Sequence, residues 1–190
     1  MEHPVSGLGQ CLRLFCLAAT LILSTAPVRA DDYTPVTQLL RAGQHAQALA
    51  KADQYLAGNP RDPQMRFLKA LIEQESGKRE AAIAGYESLI QDYPELPEPY
   101  NNVAVLYASQ GKLDKAREAL EMALRNSRSY AVAYENLGDV YAGLASQAYR
   151  QAQQNDAGNT TVAPKLALIR QITDDKAARA SAPVSTPARR

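Results

Sequence analysis

The chain has 190 residues, 46% of them hydrophobic and 22% charged, with a formal net charge of +1. That composition excludes global disorder, a collagen-like chain and an all-membrane protein. With 21 Lys and Arg against 20 Asp and Glu, no broad basic field exists for nucleic acid.

The first predicted element is an address. Residues 14–26 (LFCLAATLILSTA) are mostly apolar, follow Arg13, and lead through Pro27-Val28-Arg29-Ala30 into Asp31-Asp32. A positive residue, a short apolar core and small residues before a polar break describe a secretory signal peptide. Cleavage after Ala30 would put Val28 and Ala30 in the two small-residue positions. A spanning anchor needs about 20 apolar residues, which this run does not supply. Cys11 and Cys16 lie at or before the middle of the run, where no lipid anchor would attach. Removing residues 1–30 takes away both cysteines and leaves 19 acidic and 19 basic residues. The remainder is expected to cross into an oxidising compartment, the bacterial periplasm, and to hold its fold by packing without disulfides.

A 34-residue period follows. It relates Gly43, Gly77 and Gly111, then Ala48, Ala82 and Ala116, then Leu56, Ile90 and Leu124, then Pro60 and Pro94. In the best-formed unit, 97–130, Tyr100, Val103, Ala104 and Tyr107 fall at i, i+3, i+4 and i+7, the apolar stripe of a helix. Gly111 supplies a left-handed stop. Ala116, Leu120, Ala123 and Leu124 form the stripe of a second helix, and Ala104 facing Ala116 allows close approach. Each unit is thus an antiparallel helix hairpin that needs a neighbour to cover it.

The pattern Tyr100-x2-Val103-Ala104-x2-Tyr107 with Ala116-x3-Leu120, followed by Tyr134-x2-Leu137-Gly138-x2-Tyr141, resembles the tetratricopeptide repeat family. The middle unit, 63–96, keeps Ala70, Ala82, Tyr86 and Pro94 but places Arg66, Lys69 and Glu73 in its first helix. The first unit is short, with 33–42 as its leading helix and Pro35 in the first turn. The resemblance spans about residues 33–156. It implies an all-α fold, a right-handed α-solenoid of about three and a half hairpins with a C-terminal capping helix. The expected organisation is a signal peptide over 1–30, a solenoid domain over 31–173 and a disordered basic tail over 174–190.

The glycine column breaks at Ala145. With no Pro between 131 and 155, the spacing predicts one helix of about 22–25 residues there, with Gly143 as its weak point. After residues 156–160 a last short helix is expected near Pro164, with Leu166, Ile169, Arg170 and Ile172 covering the open end. Beyond Asp175 the sequence KAARASAPVSTPARR reads as disordered. The segment 31–175 carries 15 basic and 19 acidic residues; the tail beyond it carries four basic residues and no acid.

Candidate chemistry is sparse. His45 stands alone at the start of a second helix, and neither Cys nor another His follows residue 30 to join it. The adjacent pairs Asp31-Asp32 and Asp174-Asp175 cannot converge on one helix face. No zinc spacing, phosphate loop or G-x-S-x-G is present. Neither an enzyme nor a metal or other cofactor is expected. Asn159-Thr160-Thr161 matches a glycosylation sequon.

The resemblance implies a concave face, lined by successive first helices, that grips a peptide or partner helix. Position by position, that face would present Gln64, Phe67, Leu68 and Leu71, then Asn101, Asn102 and Val105, then Glu135, Asn136 and Asp139. Asn102 and Asn136 lie one period apart, so their amides are candidates for holding a peptide backbone, or for a purely structural role. Family members that clamp a C-terminal carboxylate use Lys or Arg on this face, where only Arg66 and Lys69 come near. The apolar residues beside Glu135 and Asp139 favour a partner with apolar anchors and some positive charge. The expected function is an exported adaptor or scaffold that binds a protein or peptide of the cell envelope, with no stable membrane insertion after signal removal. The alternative is a self-associating, homo-oligomeric component of an envelope assembly. A hydrolase is the least supported reading.

Overall fold

The computed structural model describes residues 32–181, with side chains to residue 172. The expected signal segment and the end of the tail, from residue 182, lie outside the described residues. Eight helices follow in order: α1 (Thr34–Arg41), α2 (His45–Gly58), α3 (Pro63–Glu75), α4 (Arg79–Asp92), α5 (Pro97–Ser109), α6 (Leu113–Asn126), α7 (Ala131–Asn155) and α8 (Val162–Ser181). No strand occurs among the described residues.

Each of the first three hairpins is closed by the same device. Gly43, Gly77 and Gly111 take φ values of 69°, 79° and 73°, which only glycine adopts without a Cβ penalty. The residue after each glycine donates its backbone N–H back five residues: Gln44 to Leu39, Lys78 to Glu73 and Lys112 to Tyr107, at 2.8–2.9 Å. These bonds satisfy otherwise orphaned helix-end carbonyls. Proline opens α3 and α5, where its missing N–H costs nothing. Asp62 caps α3 by accepting from the Met65 N–H at 2.7 Å.

The core is serial. One cluster joins α1, α2 and α3 through Val36, Ala48, Ala52, Met65 and Ile72. A second joins α3, α4 and α5 through Ala70, Ala82, Tyr86, Leu89 and Val103. A third joins α5, α6 and α7 through Tyr100, Ala104, Ala116, Leu120 and Leu137. Each hairpin is therefore completed by the first helix of the next, as a solenoid requires. Ala104 and Ala116 are both fully buried, which is the close approach that the small residues allow.

The break at Ala145 has the expected consequence: α7 is continuous for 25 residues. Gly143 has a firmer reason to be glycine than chance weakness. A Cβ there would lie 2.9 Å from Leu113 Cδ1, so α7 passes directly over the start of α6. The last helix differs from expectation. It covers 20 residues and reaches Ser181, through a stretch expected to be disordered. Alanines at 177, 178 and 180 are strong helix formers, and this propensity outweighs the small-residue composition that suggests a disordered tail. Val162 and Leu166 are buried against the rest of the stack and Ile169 is half-buried. Ile172, expected to join them, is 55% exposed together with Leu168 at 62%.

Candidate functional site

The inner face is built from α3, α5 and α7, because the hairpin turns place every first helix on the same side of the stack. Two hollows open on it. One, of about 290 Å³, lies between α5 and α7 and is lined by Val105, Ala108, Leu113, Asn136, Asp139 and Val140, among others. The other, of about 340 Å³, lies between the first turns of α3 and α5 and is lined by Pro63, Gln64, Phe67, Leu96, Glu98 and Pro99.

Three of the ten expected groove residues thus meet in the first hollow: Val105, Asn136 and Asp139. Gln64 and Phe67 meet in the second, with the Phe67 ring set 5.7 Å from that of Tyr86. Glu135 is exposed on α7 but lines neither hollow, and Leu71 is half-buried against the first core cluster. Leu68 is 7% exposed and belongs to that cluster. It therefore holds α3 in place and has little surface to offer a ligand.

The asparagines do something that their spacing does not show. Asn136 Nδ2 donates to Asn101 Oδ1 at 2.9 Å, and Asn101 Nδ2 donates to Asn102 Oδ1 at 3.1 Å. Asn102 Nδ2 donates to the Tyr86 hydroxyl at 3.2 Å, which donates to Gln74 Oε1 at 3.1 Å. This relay runs from α7 through α5 and α4 to α3. Asn101, buried at 4% exposure, is its hub. Asn102 and Asn136 share a register position yet have different partners, and each spends an amide N–H within the fold. Burial pushes the Tyr86 hydroxyl up to about 12, partly opposed by the bond from Asn102. The relay is invisible in the sequence because Asn101 has Phe67 and Glu135 as its register mates, so no polar column marks it.

The two cations nearest the face are already paired. Arg66 meets Asp92 at 2.7 Å and donates to Ser88 Oγ at 2.8 Å, with its guanidinium over the Tyr93 ring. Lys69 reaches Asp53 at 2.7 Å. Both tie α3 to its neighbours, which explains how charged residues are tolerated in that helix. His45, the first residue of α2, lies 3.7 Å from Glu75. Asn159 Oδ1 accepts from the Thr161 N–H and hydroxyl at 3.1 and 2.7 Å, a local turn. Among the described residues no group of three His, Cys, Asp or Glu side chains converges as a metal site. No described helix is long and apolar enough to cross a membrane.

Chemically, the first hollow can desolvate an apolar side chain against Val105, Leu113 and Val140 and present amide and carboxylate groups at its edge. Comparison with known proteins places this geometry. The model of the tetratricopeptide repeat matches residues 36–97 and 72–131. The protein named "Probable biofilm formation methyltransferase WspC" of Pseudomonas putida is 30% identical over 93 residues, 49% of this chain and 22% of that protein. The chain thus spans about a fifth of that relative. Among solved structures, the first repeat domain of Spaghetti (RPAP3) bound to the HSP90 peptide SRMEEVD is similar with a TM-score of 0.57 at 15% identity, covering 60% of this chain and 91% of that one. The protein TTC0263 of Thermus thermophilus is similar with a TM-score of 0.56 at 21% identity, covering 75% and 81%.

Proposed function

The chain belongs to the tetratricopeptide repeat family, and from that premise we propose that it is a non-catalytic interaction module whose inner face binds an extended peptide or protein segment of the cell envelope. The observation that carries this is the α5–α7 hollow, where an apolar floor meets Asn136 and Asp139. Such a site takes a side chain like Leu or Met and favours a neighbouring Lys or Arg. The second hollow, at Gln64 and Phe67, takes another apolar side chain further along the same ligand. With Arg66 and Lys69 tied to Asp92 and Asp53, the face is not organised around a ligand carboxylate. The HSP90 peptide SRMEEVD held by the RPAP3 domain is acidic, so the ligand class proposed here differs in sign.

Selection from a random peptide display library tests the reading. The expected consensus is an apolar residue flanked by Lys or Arg, with the basic preference lost in Asp139→Asn and binding lost in Val105→Asp. A selected set without a consensus, or one indifferent to both substitutions, contradicts it. Export to the periplasm rests on residues 13–30 of the sequence. N-terminal sequencing of the protein from its native cells should begin at Asp31, and a mature protein retaining Leu14–Ala26 would refute that part. A second reading, self-association, is favoured by the exposed Leu168 and Ile172 on α8. Light scattering decides it: a mass that rises with concentration and returns to the monomer in Leu168→Ser supports it.

A further inference from the structure

The stack ends on an unfilled trough of known shape. In the preceding repeat, Tyr100 and Ala104 of α5 are 7% and 0% exposed, in a cluster that α6 completes with Ala116, Leu120 and Ala123 and α7 with Ala133, Leu137 and Val140. One period on, Tyr134, the mate of Tyr100, is 54% exposed, and Tyr141, the mate of the half-buried Tyr107, is 49% exposed. Gly138, the register mate of Ala104, has nothing within 4 Å of where a Cβ would stand. The hydrogen-bonding pattern repeats as well: Tyr107 donates to Glu87, and Tyr141 donates to Glu121 at 3.5 Å. What is missing is the second helix, because α7 runs on as one rod and α8 buries its Val162 and Leu166 beyond it.

Beside Tyr134 the trough opens into a cleft of about 440 Å³ with Glu121, Leu124, Arg125 and Arg128, where Glu121 is already met by Arg117 at 3.8 Å and the two arginines leave the cleft net positive. Among the described residues neither arginine has a carboxylate partner; Arg125 meets only the Met122 sulfur. We propose that this trough receives an amphipathic helix of another protein, one with an Ala-x3-Leu-x2-Ala seam like that of α6 and acidic residues along its flank. The seam follows from the repeated interface, since residues in the same register accept the same partner. The acid follows from the two arginines. The chain's own residues 182–190 fit neither requirement, having two prolines and two arginines. The trough lies outside the inner face and is independent of the peptide site.

The test uses a fluorescein-labelled synthetic helix with Ala, Leu and Ala at the α6 spacing and Glu on its flanks, titrated with the protein and read by anisotropy. Gly138→Leu is the decisive variant. It has space in the free protein and raises helix propensity, so it should fold, verified by circular dichroism, while filling the notch. It is expected to weaken binding about tenfold. Arg125→Glu with Arg128→Glu should reverse the preference to a Lys-flanked version of the same peptide. Val105→Asp should leave this binding unchanged, which separates it from the inner-face reading. No binding of the Glu-flanked peptide, or equal binding by Gly138→Leu, overturns the proposal. A dimer that Gly138→Leu dissolves also overturns it, by assigning the trough to a second copy.

Discussion

Tyr86 occupies the middle of the amide relay with no exposed surface, bonded to Asn102 on one side and Gln74 on the other. Replacing it by Phe keeps the ring packing against Phe67 but strands two polar partners, so Tyr86→Phe should lower stability by about 1–3 kcal/mol in denaturant unfolding. The same residue sets an alkaline limb. Its folded value near 12 exceeds the usual tyrosine value of about 10, so its contribution is complete below pH ~10 and fades as pH rises towards 12. Tyr107, also raised to about 12 by burial and its bond to Glu87, adds to that limb. Stability followed from pH 9 to 12 should fall less steeply in Tyr86→Phe, and an identical slope would remove Tyr86 from the account. Residue-scale chemistry is only partly legible in the sequence. The left-handed glycines can be read from their column, because a turn demands a residue type. Asn101 cannot, because a buried amide hub leaves no periodic trace. Gly85 is likewise unmarked, although a Cβ there would sit 3.0 Å from Ala70 Cβ.

Helix α4 comes closest to α3 at Gly85, where there is no room for a Cβ without moving Ala70. Ala70 is itself buried at 1% exposure and cannot swing aside, so Gly85→Leu should overpack the α3–α4 hairpin and cost about 1–3 kcal/mol. Ala116→Leu should do the same between α5 and α6, where Ala104 and Ala116 are both fully buried; an unchanged melting temperature in either case would contradict the packing described. At α7 the contact differs, because the neighbour of Gly143 is the end of a flexible leucine. Gly143→Ala gains about 1 kcal/mol of helix propensity and lets Leu113 move, so its stability should stay close to that of the parent. Gly143→Val, with atoms that cannot be accommodated by one leucine rotamer, should destabilise. Element existence is legible because the apolar period and the turn residues agree, and the length of α7 follows from the absence of any stop. The reach of α8 is not, because Ala serves both a helix and a small-residue tail, and composition alone does not choose.

For the whole molecule, three core clusters in series make the stack cooperative only between neighbours. The same arrangement leaves an inner face open along its length. The sequence locates that face by register, and the structure divides its residues by role. Val105, Asn136 and Asp139 border one hollow, Gln64 and Phe67 another, while Leu68 and Asn101 are committed to the fold. Register assigns a residue to a helix side to within one position in the turn. It does not separate the innermost row, which packs, from the row beside it, which faces the groove. The most direct test of the account is photo-crosslinking in native envelope extract from position 105 on the inner face and from Ala84, exposed on α4. A discrete adduct is expected from position 105, weakened but not abolished in Asp139→Asn, and none from position 84. Equal adducts from both positions, or an adduct from 84 alone, would contradict it.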